Sequence, residues 1–258
     1  HGALTPQYVL RHNRAMEANM RIVPQSHSIE FAPPPEVVLG NLERWTRNAY
    51  KSEDKIGSGT ADRLLRSIVE REVRPHVSTI EHHTVTVLLT TNRGVTHELV
   101  RHRVGFSYTQ ESTRYCNYSK GKFDGGITVI EPLIRQGTRS YELWYDAMRA
   151  AEDRYLSLLA LGVSPQVARG VLPNDLKTDI VVTANLQAWR YLFWMRTHPT
   201  SHPQMVALMT PLYRALRKLY PPVFDTLPRI GSAKPDWIED EDDLPPLGVI
   251  GEPGKAYK

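Results

Sequence analysis

The spacing of apolar residues along the chain predicts an alternation of helices and strands. Residues 84–90 alternate between threonine and aliphatic residues, a period of two that is typical of a strand with one buried face. Apolar residues three and four positions apart predict amphipathic helices in several other segments. We predict helices over residues 37–50, 60–73, 94–103, 141–161, 186–196 and 203–219, and further strands over 127–130 and 178–184. Strands separated by helices indicate an α/β or α+β fold.

The two ends of the chain differ in composition from its middle. The prolines at positions 33–35 precede the first predicted helix, and we assign residues 1–35 to an N-terminal extension. Residues 232–258 are rich in proline and contain the acidic run 239–243, which is typical of a surface tail. No internal repeat or linker divides the 258 residues, so we expect a single domain over 1–258.

Composition narrows the classes of protein to consider. Hydrophobic residues make up 41% of the chain and charged residues 23%, which is typical of a globular protein with a sizeable core. No apolar run is long enough to span a membrane, and the N-terminus lacks a signal-peptide pattern. A single cysteine, Cys116, excludes an internal disulfide and a zinc cluster made of cysteines. We therefore expect a cytoplasmic protein without a membrane partner.

The balance of charge is mildly basic, at +4, and it comes mainly from arginine. A planar guanidinium binds phosphate through two parallel hydrogen bonds, so an arginine excess suits anionic ligands. A GC-rich genome explains the excess more simply. Only the positions of individual arginines are therefore informative.

The densest polar segment covers residues 97–103. If this segment is helical, Glu98 and His102 share one face. A solvated helix face is one interpretation of it. A surface that binds single-stranded RNA is another, because arginines alternate with aromatic residues over 103–118. The residues of this segment alone leave both interpretations open.

The predicted helix 186–196 carries polar residues at its two ends. Eleven residues make about three turns, so Asn185 and Arg196 would lie on one face, with Trp189 and Leu192 between them. Tryptophan at this spacing usually packs in a core, and asparagine is a common helix N-cap. An arginine that ends an apolar face needs an anionic partner, either a protein carboxylate or a ligand phosphate.

Five histidines between positions 76 and 102 raise the alternative of a metal-dependent hydrolase. The adjacent pair His82 and His83 lacks the spacing that places two ligands on one helix face, and no His-Glu-x-x-His motif occurs. We therefore expect no metal site.

Several of these residues occur together in a known family. Arg101-His102-Arg103, a spacer, and then Ser112 with Arg114 resemble the signature of the flavin-dependent thymidylate synthases. Further similarities are found at His76, Ser78 and Glu81, at Arg93, His97 and Glu98, at Arg169 with Val171, Leu172 and Pro173, and at Asn185 with Arg196. Each match is weak, but together they extend over residues 76–196 in the order of the family.

The resemblance implies a fold and a reaction. The fold would be a central twisted β-sheet flanked by helices. The reaction would be reductive methylation of a uridylate at carbon 5 of uracil, with FAD as cofactor, methylenetetrahydrofolate as one-carbon donor and NADPH as reductant. The family uses no cysteine nucleophile, which suits the lone Cys116. A homotetramer with FAD between its subunits is also implied, with no nucleic-acid partner.

The resemblance also assigns residues to ligands. For the nucleotide, UMP or dUMP, it implies Arg93, Glu98, Gln110, Ser112, Thr113, Arg114, Arg169 and Arg196. For FAD it implies His76, Ser78, Arg101, His102, Arg103, Gln110 and Asn185. Arg196 and Ser112 would be the catalytic residues. Arginine beside the uracil oxygens stabilises the negative charge that develops on the ring, whereas Ser112 is not needed as a covalent nucleophile.

One departure from the family bears on the substrate. Eight residues, 104–111, separate Arg103 from Ser112, where the family usually has seven. The additional residue would form either a surface bulge or a displaced pocket loop that makes space for a 2′-hydroxyl. The second interpretation suits the polyoxin-type UMP/dUMP methylase branch of antibiotic biosynthesis, and we expect UMP to be accepted alongside dUMP. We expect deletion of one residue from 105–109 to restore a preference for dUMP. The alternative is an ordinary dUMP-specific thymidylate synthase.

Overall fold

A computed structural model describes residues 20–71 and 76–227 of the chain. The strands within these ranges are β1 (Arg21–Val23), β2 (Ser26–Phe31), β3 (Thr84–Asn92), β4 (Phe106–Gln110), β5 (Thr128–Ile130) and β6 (Lys177–Asn185). The helices are α1 (Pro35–Asn48), α2 (Thr60–Val69), α3 (Arg93–Leu99), α4 (Arg139–Ala160), α5 (Pro165–Ala168), α6 (Leu186–Arg196), α7 (Pro203–Leu219) and α8 (Pro221–Phe224).

The central sheet has four antiparallel strands in the order β2-β3-β6-β4. Strands β3 and β6 are its long inner pair, and they pair from Thr84 opposite Asn185 to Asn92 opposite Lys177. A separate two-stranded sheet pairs β1 with β5 in parallel. Helices pack on the central sheet, so the expected mixed α/β fold is confirmed.

The main core lies between one face of the central sheet and helices α6 and α7. Val85, Val87 and Leu89 of β3 are fully buried in it, and they alternate with more exposed residues as the period of two predicts. Trp189 of α6 packs in the same core, and its indole nitrogen donates to the Val85 carbonyl at 3.1 Å. The prediction that this tryptophan is a core residue is confirmed.

A second, smaller core forms between α4 and β5. Tyr155 and Ile127 are fully buried there. Glu152 is also fully buried, and one of its carboxylate oxygens accepts from the Ile127 backbone at 2.9 Å. Burial raises the pKa of this carboxyl group above its usual value. The hydrogen bond therefore ties the long helix to the small sheet.

Helices α6 and α7 begin and end at the predicted residues. Helix α3 is shorter than the predicted 94–103. Its start is fixed by Asn92, whose side-chain oxygen accepts from the backbone N–H of Val95 at 2.8 Å, and it ends at Leu99. Residues 100–103 therefore lie outside the helix. Helix α4 and strands β3, β5 and β6 differ from their predicted bounds by one or two residues.

Strands β1, β2 and β4 were not predicted. Strands β2 and β4 form the two edges of the central sheet, and their polar side chains give little hydrophobic signal. Strand β2 pairs with β3, so assigning the described residues 20–35 to an extension is wrong. Pro35 is the first residue of α1 rather than a stop before it, because proline lacks only an N–H that the first turn leaves unpaired anyway.

Some predictions fall outside the described residues. Helix α2 ends at Val69, earlier than the predicted 60–73, and the last two residues of that prediction, 72 and 73, are among those not described. The acidic tail and residues 1–19 are also outside the described ranges. Among the residues that are described, no helix combines the length and hydropathy that crossing a bilayer requires.

Candidate active site

A cavity of about 730 Å³ lies where the segment after α3 faces helix α6. The segment contributes Arg101, His102 and Arg103 to its wall. Its other lining residues are Glu81, Val104, Phe106, Asn185, Gln187, Ala188, Tyr191, Met195 and Arg196. The cavity therefore combines an apolar and aromatic surface with three arginines.

Gly105 allows the two walls to approach each other. Its backbone has φ +77°, in the left-handed region that favours glycine. A Cβ at this position would come within 2.8 Å of the Asn185 amide nitrogen and 2.9 Å of the Ala188 Cβ. The side-chain oxygen of Asn185 is itself the N-cap of α6, accepting from the Ala188 backbone at 2.8 Å. The predicted N-cap is thus confirmed, and its amide nitrogen is next to the turn.

Arg196 is held by three hydrogen bonds at the C-terminal end of α6. Its Nε donates to His102 Nε2 at 2.9 Å, and its Nη1 donates to a Glu98 carboxylate oxygen at 3.0 Å. Its Nη2 donates to the Glu98 backbone carbonyl at 3.4 Å. The expected anionic partner of this arginine is therefore a protein carboxylate, and these bonds join α3 to α6.

The environment of His102 keeps its imidazole neutral at physiological pH. Burial is the largest cause, and the neighbouring charges of Arg196 and Arg101 add to it, so that the pKa falls from 6.5 to about 4. Because Nε2 accepts from Arg196, the neutral ring carries its proton on Nδ1.

A second group of sequence-predicted residues lies around Ser112. The Ser112 hydroxyl oxygen accepts from the Arg114 backbone at 3.3 Å, and Arg169 donates to the Thr113 hydroxyl at 3.2 Å. Arg114 also donates to the Gln166 side chain at 3.4 Å. Within the described residues, neither of these exposed arginines forms an ion pair with a carboxylate, so both can bind an anion.

Arg93 and Gln110 are bonded into the protein. Arg93 donates to the Glu111 carbonyl at 2.6 Å, and its buried Nε has no partner among the described residues. Gln110 donates to the hydroxyl groups of Thr96 at 2.9 Å and Thr178 at 3.3 Å. These contacts support the segment that carries Ser112, and neither residue lines the 730 Å³ cavity.

The structure does not bring all the predicted FAD residues together. His76 and Ser78 are exposed at the 3-10 turn Val77–His82 and do not line the cavity. Glu81 of the same turn does. Arg101, His102, Arg103 and Asn185, by contrast, meet at the cavity as one group.

The residues of α6 between Asn185 and Arg196 divide between two faces of the helix. Trp189 and Leu192 point into the core, whereas Gln187, Tyr191 and Met195 line the cavity. A spacing of four residues along the helix is the sequence signal that could have identified these three. It was obscured because α6 has apolar residues around most of its circumference.

Histidine does not cluster with other metal-ligating residues in the described part of the chain. No three or more histidine, cysteine, aspartate or glutamate side chains are arranged there so that they could hold a metal ion. His102 is instead engaged with Arg196, as described above.

Comparison with known proteins identifies the family. The family model described as "Thymidylate synthase complementing protein" matches residues 13–222. A flavin-dependent thymidylate synthase of Mycolicibacterium vanbaalenii is 33% identical over 221 residues, covering 76% of this chain and 85% of the relative. One of Geobacter sulfurreducens is 31% identical over 200 residues, covering 76% and 83%. The chain therefore belongs to the flavin-dependent thymidylate synthase family, and it is an enzyme of the type that methylates the uracil ring of a uridylate.

Solved structures agree with the fold. The UMP/dUMP methylase PolB from Streptomyces cacaoi, bound with 5-Br dUMP, superposes with a TM-score of 0.65 at 22% identity, covering 80% of this chain and 95% of that one. Thymidylate Synthase X from Helicobacter pylori, with FAD and dUMP, has a TM-score of 0.63 at 18% identity, covering 78% and 97%.

Proposed function

We propose that this enzyme methylates carbon 5 of uracil in UMP and dUMP, using FAD, with methylenetetrahydrofolate as the one-carbon donor and NADPH as the reductant. The observation that carries the proposal is the convergence of Arg101, His102, Arg103, Asn185 and Arg196 on one cavity. These residues come from two distant stretches of the sequence. Three arginines around one cavity are not required to stabilise an α/β fold. They are well suited to binding a ligand that carries phosphate groups.

The cavity has the chemistry that FAD requires. Phe106, Ala188, Tyr191 and Met195 provide apolar and aromatic surface for a flat ring, and the arginines provide partners for a pyrophosphate. Gly105 leaves space that a Cβ would fill, beside the Asn185 amide. When bound, the flavin would supply the hydride for the reduction. The protein's own contribution is then to bind, to orient and to place positive charge.

The group around Ser112 would bind the nucleotide phosphate. Arg114 and Arg169 are exposed, and hydroxyl groups of Ser112 and Thr113 lie beside them. No hydrogen bond joins this group to Arg196 among the described residues. We infer that the complete site combines the Ser112 group of one chain with the Arg196 group of another, within a homotetramer. Exposed His76 and Ser78 would contact FAD in the same way, from a neighbouring subunit.

The proposal includes UMP as a substrate in addition to dUMP. Residues 106–110 form strand β4 and pair with β6 without a bulge, so the expected displaced loop is wrong for this stretch. The turn before the strand, where Val104 is 93% exposed, has room for the additional residue. A structural neighbour is named as a UMP/dUMP methylase, which supports the dual specificity. The sequence resemblance is the basis for proposing a role in nucleoside antibiotic biosynthesis in the cytoplasm.

Purification and a turnover assay test the reaction. The protein should be yellow, or become so with added FAD, and NADPH should bleach the flavin absorption. With methylenetetrahydrofolate, it should convert dUMP to dTMP and UMP to its 5-methyl product. A colourless protein that refuses FAD would contradict the proposal.

A deletion tests the basis of substrate choice. We expect removal of Val104 to lower kcat/KM for UMP relative to dUMP. Deletion within β4 is unsuitable, because it would turn the remaining side chains of the strand to the opposite face. An unchanged ratio of the two kcat/KM values would show that the turn does not select the sugar.

A further inference from the structure

The guanidinium of Arg196 has more donors than its protein partners use. It carries five N–H bonds, and the chain accepts three of them, at His102 Nε2, at the Glu98 carboxylate and at the Glu98 carbonyl. Two N–H bonds remain, one on each terminal nitrogen. Because Arg196 lines the cavity, these two are available to a ligand there.

The surroundings restrict how the guanidinium can move. The Arg196 side chain is 15% exposed and that of Glu98 is 34% exposed, so solvent weakens their ion pair only partly. The imidazole of His102 fixes the third nitrogen from another direction. A long, flexible side chain loses rotamer entropy when it is immobilised. In this protein Arg196 loses that entropy when the chain folds rather than when the ligand binds.

We propose that Glu98 and His102 are positioning residues that hold the Arg196 guanidinium ready for the nucleotide. This inference rests on the proposed function and deepens it. It differs from the role that the family resemblance implies for Glu98, which is direct contact with the nucleotide. In direct contact the carboxylate would accept hydrogen bonds from the nucleotide, whereas a carboxylate bonded to Arg196 aligns a cation.

A double-mutant cycle distinguishes the two roles. The measurement is the Kd of dUMP on FAD-loaded protein, obtained by calorimetry for wild type, Glu98→Ala, Arg196→Gln and the double variant. If Glu98 acts through Arg196, Glu98→Ala raises the Kd about tenfold in wild type and less than about twofold in the Arg196→Gln background. An equal effect in both backgrounds, or no effect in either, would overturn the proposal.

Conservative variants separate positioning from folding. Glu98→Gln and His102→Asn each keep an oxygen that can accept from Arg196, so we expect each to lose less dUMP affinity than the corresponding alanine variant. Glu142→Gln is the matched control, because it breaks an exposed pair with Arg139 outside the cavity. It should leave the Kd unchanged. Conservative variants that lose as much affinity as the alanine variants would count against positioning.

The wild-type protein separates this inference from the proposed function. If wild type holds no FAD and binds no dUMP, both fail. If wild type binds both and turns over, but the cycle shows additive effects, only the positioning role fails. Melting temperatures of all the variants report whether a loss of affinity reflects unfolding.

Discussion

At the scale of single residues, the site depends on how neighbouring groups set one another's charge. His102 can accept from Arg196 only while its imidazole is neutral. Burial and two adjacent guanidinium groups ensure this by lowering the pKa to about 4. Protonation would place a third positive charge beside them and remove the acceptor. Arg196 therefore contributes positive charge to the cavity and also helps to keep His102, its own hydrogen-bond partner, neutral.

This low pKa predicts how stability depends on pH. Between pH 6.5 and about 4 the unfolded chain binds a proton at His102 that the folded protein does not, so the free energy of unfolding falls as the pH falls through this window. Above pH 6.5 the penalty is absent. Arg196 and Arg101 are the charged groups that lower this pKa in addition to burial, and Glu98 is bonded to Arg196.

Denaturation of wild type and His102→Asn across this pH range measures the effect. The variant should lose less stability than wild type between pH 6.5 and 4, because its side chain does not titrate. The pKa values of His27 and His83 are also lowered, but they are common to both proteins and cancel in the difference. Curves of equal slope would refute the assignment.

Ser112 makes a weaker contribution than a nucleophile would. Its hydroxyl oxygen accepts a backbone hydrogen bond from Arg114 at 3.3 Å, and no base lies within hydrogen-bond distance of it among the described residues. We expect Ser112→Ala to lower kcat/KM for dUMP about threefold to tenfold, the loss of one hydrogen bond. Complete loss of turnover with the nucleotide still bound would contradict this.

At the scale of elements, the turn between α3 and β4 fixes the shape of the cavity. Gly105 is the residue that allows this turn to pack against the start of α6. The backbone N–H of Asn185 donates to the Gly105 carbonyl at 3.2 Å, and the same close approach leaves no space for a Cβ on residue 105. A change at this position therefore affects two elements together.

We expect Gly105→Ala to destabilise the protein by about 2 to 4 kcal/mol, through a strained backbone and a steric clash with Asn185 and Ala188. Gly162→Ala is the matched control: it has φ +83° but nothing within 4 Å of its Cβ, so it should cost only about 1 to 2 kcal/mol. Denaturant unfolding compares the two. Equal losses would show that the close approach is unimportant.

At the scale of the whole molecule, the described chain leaves one face of its central sheet uncovered. Val181 is 36% exposed there, and the hydroxyl groups of Thr86 and Thr183 are 2.8 Å apart on the same face. The core occupies the opposite face. This partly exposed sheet surface, which also carries the Lys177–Asp179 ion pair, is where the proposed homotetramer would place a contact between subunits.

Mixed oligomers test whether subunits share a site. We expect the mass in solution to be four times the 29.4 kDa of one chain. Arg196→Gln and Arg169→Gln should each have little activity. Co-expressed, they should recover about one quarter of the wild-type activity, since random assembly places intact groups from two chains together at that frequency. No recovery would mean that both groups of a site come from one chain.

The sequence alone determined the elements with strong periodicity and the family. Helix α7 and the inner strands were predictable because their apolar residues repeat at the period of the element, whereas α6 was predictable from its apolar residues and its N-cap, Asn185. The edge strands β2 and β4 were not, because their pairing with β3 and β6 supplies the stability that their polar side chains do not.

Only the tertiary structure decided which predicted residues meet. Sequence order places Glu98 and Arg196 98 positions apart, yet α3 and α6 bring them to 3.0 Å. It also leaves Ser112 and Arg169 outside the lining of the cavity that Arg196 faces, although the motif that contains Ser112 begins beside His102. Spacing along a chain fixes the face of one element, whereas the distance between two elements depends on how the whole core packs.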